Sequence, residues 1–285
     1  MPDPQTPPKG GHEITLELCA VAEGRRMEIN MKIYVFGSCS GTEPYPDRHH
    51  TSLAIESEGR YYWFDAGESC AYTAHLMGVD LQAVSDIFIS HPHMDHVGGL
   101  PHLLWTIRKL SASTKTTPIY GDINVYVSKK ETFEGAMLML KASQGQNPDL
   151  YKTEYHPIFD GTVFDNGKIK VEARHNIHIQ PVDEKYVSYS FIIYAEGKRI
   201  VYTADLKNRD ELDSLIEGGC DALITETGHH KPDEVCAHLK EKDIGKLLLV
   251  HHGRALLNSF EETSALCRSI MPEVVLCKDK DVFEI

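Results

Sequence analysis

The chain has 285 residues, of which 41% are hydrophobic and 25% are charged, and its formal net charge at pH 7 is -13. This composition is typical of a globular protein that buries a substantial core, and no apolar run reaches the ~20 residues that would span a membrane. An acidic surface repels phosphate backbones, which disfavours a large nucleic-acid footprint.

The cysteines and histidines limit the chemistry further. The 7 cysteines are scattered, and none forms a CxxC pair. Their odd number and their spacing argue against a disulfide framework and against a cysteine-based zinc knuckle. Together with the lack of an apolar signal segment at the start, they predict a cytoplasmic protein. The 16 histidines are many for this length and are a first hint of metal chemistry.

The start of the chain, MPDPQTPPKGGHE, is rich in proline and glycine. This composition predicts a flexible N-terminal extension over residues 1–30, followed by a single domain over residues 31–285. Because Met27 and Met31 precede the first clear strand, it stays open whether the extension is native.

Apolar alternation and turn signals predict the elements in chain order. The first half shows strands at KIYVF, at both arms of TSLAIESEGRYYWFDAG, at DIFIS and at INVYV, and helices at AYTAHLMGV, LPHLLWTIRKL and KETFEGAMLMLKAS. The second half shows strands at KIKVEAR, at both arms of SYSFIIYAEGKRIVYTAD, at DALITET and at KLLLVHH, and helices at DELDSLIEG, DEVCAHLKEK and SFEETSALCRSI. Hairpin turns are predicted at Glu58-Gly59 and Glu196-Gly197. Early hairpins followed by strand–helix alternation predict an α/β fold in which two sheets lie between helical layers.

Side chains of types that bind metals follow four of the predicted strands. DIFIS is followed by His91, RIVYTA by Asp205, DALIT by Glu226 and KLLLV by His251. Because strand ends in an α/β protein converge, we expect these residues at one edge of the sheet, where sites are usually built.

The segment HPHMDH, from His91 to His96, holds three histidines and one aspartate in six positions. Imidazole and carboxylate ligands suit zinc, iron or manganese. Two ligand pairs this close in sequence can serve two neighbouring ions. The alternative is a helix N-terminus that is capped by Asp95 and surrounded by surface histidines. Burying so many polar groups without a partner would be costly, which favours the metal site.

The motif SHPHMDHVGGLP resembles the HxHxDH motif of the metallo-β-lactamase superfamily. Upstream, GSCSGTEP, HTSLAIE and YYWFDAGES are similar to the opening of its ribonuclease Z-like branch. The resemblance runs from about Lys32 to His252. It implies a four-layer αββα sandwich and a dinuclear metal-dependent hydrolase.

The resemblance also implies a set of metal ligands. In the family, the two histidines of HxH and a distant third histidine bind one metal, the Asp-His pair and a last histidine bind the other, and a later aspartate bridges both. The implied ligands are His91, His93, Asp95, His96, His178, Asp205 and His251. Two positions stay open, because His175 is an alternative to His178 and His252 is an alternative to His251.

The implied cofactors are two divalent metal ions, zinc in the first place, with manganese and iron as alternatives. Asp95 and Asp205 are the implied catalytic residues, Asp95 because it orients the nucleophile or accepts its proton. Asp65 is expected to support the histidine loop, and Glu226 to orient a ligand histidine. Side chains expected either at the pocket rim or in solvent are His49, His50, His229 and His230, and His252 and Arg254 are further candidates for substrate contact.

Three departures from the tRNA-processing members of this branch favour a smaller substrate. Thr225 stands where those members carry a histidine before the glutamate matched by Glu226, HHGR replaces a His-Phe-Ser element, and no Gly/Pro-rich tRNA-binding arm is seen. We therefore predict a phosphodiesterase that acts on a small phosphodiester or nucleotide through a metal-bridging hydroxide. The alternatives are an RNA-processing endonuclease, an ester or lactone hydrolase, and a non-catalytic metal-binding module. Relatives are commonly dimeric, so a homodimer stays open.

Overall fold

The computed structural model describes residues 31–285, apart from residues 145–149, 182 and 184. The extension predicted over residues 1–30 lies outside the described residues. In the described part of the chain, no helix combines the length and the apolar character needed to cross a membrane.

The strands and helices of the described residues are named in chain order. The strands are β1 (Lys32–Gly37), β2 (Ser52–Ser57), β3 (Arg60–Ala66), β4 (Val84–Phe88), β5 (Ile123–Tyr126), β6 (Thr153–His156), β7 (Gly161–Asp165), β8 (Ile169–His175), β9 (Tyr189–Ala195), β10 (Lys198–Tyr202), β11 (Cys220–Thr227), β12 (Ile244–His252), β13 (Val275–Leu276) and β14 (Val282–Glu284). The helices are α1 (Cys70–Leu76), α2 (Met94–Val97), α3 (Leu100–Thr114), α4 (Lys130–Gln144), α5 (Glu211–Leu215), α6 (Pro232–Leu239), α7 (Arg254–Asn258) and α8 (Phe260–Ile270).

The strands form two seven-stranded mixed sheets. The first has the order β14-β1-β2-β3-β4-β5-β6, and the second has the order β13-β12-β11-β10-β9-β8-β7. The two-residue hairpin turns predicted at Glu58-Gly59 and Glu196-Gly197 are confirmed, and all four residues have positive φ angles between 50° and 78°. Positive φ at both central positions is the backbone that matches the twist of a tight hairpin.

The fold has four layers: helices, the first sheet, the second sheet and helices. Buried hydrophobic residues fill the three spaces between these layers. In β3, Tyr62 and Phe64 face the second sheet, whereas Tyr61 and Trp63 face α1 and α3, because successive side chains of a strand point to opposite faces. The outer face of the second sheet packs against α5, α6 and α8. This αββα arrangement confirms the predicted fold class.

Two features of the fold differ from those predicted from the sequence: the short edge strands and the position of the strand ends. The edge strands β6, β7, β13 and β14 were not predicted, because they are short and lack clear alternation. The prediction that four strand ends share one sheet edge is wrong, since β4 belongs to the first sheet and β10, β11 and β12 belong to the second. The two sheets pack face to face, so the candidate site lies between the ends of both.

The aromatic packing between the sheets leads to a prediction about stability. Phe88 is fully buried, and its ring centroid lies 5.0 Å from that of Phe64 and 4.6 Å from that of Tyr126. We expect Phe88→Ala to lower the free energy of unfolding of the metal-free protein by about 3–5 kcal/mol, because it leaves a cavity in a close-packed layer. Urea unfolding measures this change. Tyr72→Ala, at a side chain that is 58% exposed, is the matched control and should change stability by less than about 0.5 kcal/mol; equal losses would contradict this account of the core.

Candidate metal centre

The HPHMDH segment leaves β4 in an extended conformation and then enters α2. His93 is the extended residue before α2, and Asp95 and His96 lie within that helix. Gly99 follows, and a Cβ there would lie 2.1 Å from the carbonyl oxygen of Gly67. The glycine therefore lets the chain pass directly against the segment after β3, as it turns from α2 into α3.

Three histidines, called here the triple-histidine group, converge through one ring nitrogen each: His91, His93 and His178. The His93 Nδ1 atom lies 3.1 Å from His91 Nε2 and 3.3 Å from His178 Nε2. Nitrogen ligands at about 2.0–2.1 Å from a tetrahedral zinc ion would lie about 3.3–3.4 Å apart. The spacing of these nitrogens therefore suits a shared metal ion.

Two aspartates and two histidines form a second cluster, called here the mixed group: Asp95, His96, Asp205 and His251. His251 Nε2 lies 3.1 Å from Asp95 Oδ2 and 3.3 Å from Asp205 Oδ1. His96 Nε2 lies 3.5 Å and 3.3 Å from the same two oxygens. Nitrogen and oxygen donors at these separations fit a divalent transition metal.

The carboxylate of Asp205 faces both groups, one with each oxygen. Its Oδ1 atom belongs to the mixed group, and its Oδ2 atom lies 3.8 Å from His91 Nε2 and 3.6 Å from His178 Nε2. Asp205 is 2% exposed, so this carboxylate is not solvated. It is positioned between two sets of donors, as a bridging ligand would be.

Three buried atoms of the mixed-group residues have no hydrogen-bond partner among the described residues, and two of them, His96 Nε2 and Asp205 Oδ1, are among the converging donors. A buried polar atom without a partner costs free energy, and such atoms are rare in native proteins. A cation coordinated by both atoms would remove this cost. The donor set therefore fits a metal ion better than it fits the protein alone.

Asp65 supports the ligands of both groups, as expected from the sequence. Its buried carboxylate accepts hydrogen bonds from the backbone N–H and hydroxyl of Ser90, from His96 Nδ1 and from the hydroxyl of Tyr202, at 2.6–2.8 Å. Because the Ser90 hydroxyl donates to Asp65, it accepts from His91 Nδ1 at 3.0 Å. Both histidines are thereby held in the tautomer whose Nε2 lone pair points into the cluster. Sequence reasoning missed Tyr202 and Ser90.

His251 lies at a bulge in the pairing of β11 with β12. Glu226 pairs with Val250 and Thr227 pairs with His252, which leaves His251 as the extra residue, with a φ of 51°. Bulges often redirect a side chain next to a functional site, and such backbone angles cost about 1–3 kcal/mol. The bulge is therefore the local feature that turns His251, rather than its neighbour, toward the mixed group.

Gly228 and Glu226 lie against the Nδ1 side of the His251 ring. A Cβ on Gly228 would lie 2.6 Å from His251 Nδ1, so only glycine allows the chain to pass here. Glu226 Oε2 lies 3.9 Å from the same nitrogen. Glu226 thus stands behind the histidine, on the side away from Asp95 and Asp205.

The two alternative ligands lie outside both groups. His175 ends β8, and its Nδ1 atom is hydrogen-bonded to the exposed Asp160 at 2.6 Å. His252 is fully buried, and both of its nitrogens are hydrogen-bonded, Nδ1 to Thr227 Oγ1 at 2.8 Å and Nε2 to the Cys277 carbonyl at 2.9 Å. His252 therefore has no free nitrogen for a metal or a substrate.

His229 lies beside the two groups and is exposed. Its Nδ1 atom and its backbone N–H are hydrogen-bonded to the Glu226 carboxylate at 3.1 Å and 2.8 Å, and Nδ1 lies 3.8 Å from Asp205 Oδ2. His230 Nε2 lies 3.6 Å from Glu226 Oε1. Of these two candidates for the rim, His229 has the more exposed side chain.

The remaining candidates for the rim, His49 and His50, and the candidate for substrate contact, Arg254, contact the loop between β1 and β2 or lie in it. His50 Nε2 is hydrogen-bonded to the carbonyl of Thr42, and His49 Nδ1 to the carboxylate of Glu68. Arg254 forms an ion pair with Glu43 of the same loop. These side chains therefore have structural partners, and none belongs to the triple-histidine or mixed group.

The pKa values of the histidines diverge because their surroundings differ. Burial lowers the pKa of His91 well below its ordinary value, and burial also lowers that of His178, to about 4. Burial opposes protonation of His96 as well, but the carboxylates of Asp205 and Asp65 outweigh it, so its pKa is raised well above the ordinary value. The hydrogen bond with Glu226 raises the pKa of His229. Such divergence in one cleft is typical of a functional site.

Comparison with known proteins extends this picture. A ribonuclease Z from Treponema pallidum subsp. pallidum is 37% identical over 94 residues, which are 33% of this chain and 29% of that relative. The short form of human tRNase Z matches with a TM-score of 0.68 at 19% identity, over 89% of this chain and 99% of that one. The metallo-β-lactamase fold protein YhfI from Bacillus subtilis matches with a TM-score of 0.67 at 20% identity, over the same shares.

These likenesses confirm the metallo-β-lactamase fold, and they agree with the resemblance of the upstream segments to ribonuclease Z. The family model described as Anti-Pycsar protein Apyc1 matches residues 31–265, which is most of the chain. The protein has the metallo-β-lactamase fold and belongs to the Anti-Pycsar protein Apyc1 family.

Proposed function

We propose that this protein is a dinuclear metal-dependent hydrolase, and specifically a phosphodiesterase that acts on a small phosphodiester or nucleotide. The position of Asp205 carries the proposal, because its two oxygens face two separate groups of donors. A carboxylate between two cations offsets their repulsion. Paired ions about 3.5–4 Å apart are a common arrangement in enzymes that cleave phosphate esters.

The proposed ligands divide into two sets that share Asp205. The triple-histidine group would hold one ion, and Asp95, His96 and His251 would hold the other. Nitrogen and oxygen donors of this kind suit zinc, with manganese and iron as alternatives. When bound, the ions make hydroxide available from water near neutral pH and stabilise negative charge on the attacked phosphate.

The protein's own residues orient the reactants and exclude water. Asp95 is a partly exposed carboxylate of the mixed group, with a side chain that is 13% accessible, so it can orient the attacking water or accept its proton. The loop after β1 closes over it, since a Cβ on Gly41 would lie 3.0 Å from Asp95 Oδ2. His229, whose Nδ1 is hydrogen-bonded to Glu226, is the proposed donor of a proton to the leaving oxygen, through Nε2.

The negative net charge of the protein and the burial of Thr225 favour a small substrate. Ribonuclease Z and tRNase Z, to which this chain is similar, are named as enzymes that act on RNA, which is a phosphodiester polymer. The net charge of -13 opposes a long polyanion. Thr225 is buried and bonded to Thr203 Oγ1 at 3.1 Å, so it does not reach a substrate.

The test combines metal analysis with a panel of substrates. We expect about two transition-metal ions per chain after purification without chelators. Bis-p-nitrophenyl phosphate and a cyclic nucleotide should be hydrolysed faster than a precursor tRNA, a p-nitrophenyl ester or a lactone. Fewer than about one ion per chain would contradict the dinuclear centre. Faster cleavage of the precursor tRNA would favour an RNA-processing endonuclease, and faster cleavage of the ester or lactone would favour carbonyl chemistry.

The neighbouring histidines His175 and His178 offer a matched pair for testing the third ligand. We expect His178→Ala to lose about one metal ion per chain, because it removes a nitrogen that lies 3.3 Å from His93 Nδ1. His175→Ala should retain the wild-type metal content, since its partner is the exposed Asp160. Elemental analysis of both variants measures the difference. Loss of metal from His175→Ala alone would reverse the assignment.

A further inference from the structure

We infer that Glu211 is a positioning residue that sets the distance between the triple-histidine group and Asp205, an inference that rests on the proposed metal centre. Glu211 is the first residue of α5. Its Oε1 atom accepts the backbone N–H groups of Lys207 and Asn208, at 3.1 Å and 2.8 Å. Its Oε2 atom accepts the backbone N–H of Ile177, at 3.1 Å. One carboxylate thus connects two loops that are distant in sequence.

Each of these loops carries a proposed ligand. Ile177 directly precedes His178, and Lys207 follows Asp205 by two positions. His178 Nε2 lies 3.6 Å from Asp205 Oδ2, which is the closest approach between the triple-histidine group and the carboxylate proposed as a bridge. The hydrogen bonds of Glu211 are made to backbone atoms within one residue of His178 and within three residues of Asp205, so they constrain the separation of the two ligands.

Asn176 supplies a second anchor, but it constrains His178 against the sheet only. Its Oδ1 atom accepts the backbone N–H of His178 at 3.1 Å, and its Nδ2 atom donates to Ser190 Oγ at 3.1 Å. Its own backbone N–H donates to the carbonyl of Ser188. These contacts hold the loop against the start of β9. Of the contacts made by Asn176 and Glu211, only those of Glu211 hold the His178 loop against the Asp205 loop.

A capping role would explain the contacts of Glu211 with Lys207 and Asn208, but not its contact with Ile177. A glutamate that accepts an N–H three residues upstream is one half of a capping box, and it stabilises the start of a helix. The bond from Ile177 to Oε2 contributes nothing to such a cap. Hydrogen bonds to a carboxylate are about twice as strong as neutral ones, so losing the charge should loosen both loops. Capping predicts an effect on stability alone, whereas positioning predicts an effect on metal binding.

The experiment is a titration of metal-free protein with Co²⁺, followed by visible absorption. In Glu211→Gln, the amide nitrogen cannot accept a hydrogen bond, so one of the two loops loses its partner. We expect one of two Co²⁺ ions to bind about 10–100-fold more weakly than in the wild type, as is typical when a group that orients a metal ligand is removed. Excess Co²⁺ should restore the wild-type spectrum. Co²⁺ affinities within about twofold of the wild type, with only a lower unfolding temperature, would overturn the inference.

The matched control is Asp213→Asn, on the same short helix. Asp213 pairs with His238 and Lys242 instead of with either loop, so its Co²⁺ affinities should equal those of the wild type. If Glu211→Gln fails to fold, Glu211→Asp replaces it. This variant keeps the charge but is one methylene shorter and cannot reach both loops, so the same weakening is expected. A Glu211→Asp protein that binds both ions normally would also overturn the inference.

His93→Ala separates failure of this inference from failure of the proposed function. His93→Ala should lose about one Co²⁺ ion per chain, because it removes the central nitrogen of the triple-histidine group. If His93→Ala loses that ion while Glu211→Gln binds as the wild type does, only the role of Glu211 is wrong. If His93→Ala binds Co²⁺ as the wild type does, the proposed centre itself is wrong, and the role of Glu211 falls with it.

Discussion

Asp205→Asn should lower kcat/KM for bis-p-nitrophenyl phosphate by about 10³-fold and remove at least one metal ion per chain. The asparagine has nearly the same shape, so the packing around this buried position is preserved. It offers one oxygen instead of two, and its amide nitrogen is a donor that cannot ligate a cation. Because each oxygen of Asp205 faces a different group, one of the two sets of ligands becomes incomplete.

Asp160→Asn is the control for this prediction. Asp160 is also an aspartate bonded to a histidine, His175, but it lies outside both groups. Its substitution should leave activity and metal content within about twofold of the wild type. An Asp205→Asn protein that keeps both ions and more than about a tenth of the activity would contradict a bridging role.

His229→Ala should lower kcat by about 10²-fold or more for a phosphodiester with an alkoxide leaving group. The metal content should not change. Glu226 accepts a hydrogen bond from His229 Nδ1, which lies 3.8 Å from Asp205 Oδ2, so Nε2 is the nitrogen left to protonate a leaving oxygen. A p-nitrophenolate leaving group needs little protonation, so the same variant should lose less than about tenfold on bis-p-nitrophenyl phosphate. Steady-state kinetics on a cyclic nucleotide and on the p-nitrophenyl substrate measures this difference.

His238→Ala is the matched control for His229→Ala. His238 lies on α6, outside both ligand groups, and its imidazole is also hydrogen-bonded to a carboxylate, that of Asp213 on α5. This variant should leave both rates unchanged. Equal losses on the two substrates in His229→Ala would show that the residue acts on binding or on folding, and would exclude the proton-donor role.

Much of the fold could be read from local patterns. The hairpin turns at Glu58-Gly59 and Glu196-Gly197 and the long helices α3 and α4 follow from turn chemistry and helical spacing, which depend on neighbours in sequence. The strands β6, β7, β13 and β14 could not be read, because each is only two to five residues long and partly exposed. Such strands form because an adjacent strand offers unpaired backbone groups, and this is a property of the sheet.

The sequence by itself determined the kinds of ligand and the segment HPHMDH, because a histidine and aspartate cluster after a buried strand is a local pattern. Tertiary structure decided which distant residues complete it. β8 continues to His175 and carries that side chain outward, and the bulge opposite Glu226 turns His251 inward while His252 is bonded to Cys277. The two oxygens of Asp205 meet two groups only because the ends of two sheets pack face to face. Ligand distances depend on that packing, which no pattern of neighbouring residues encodes.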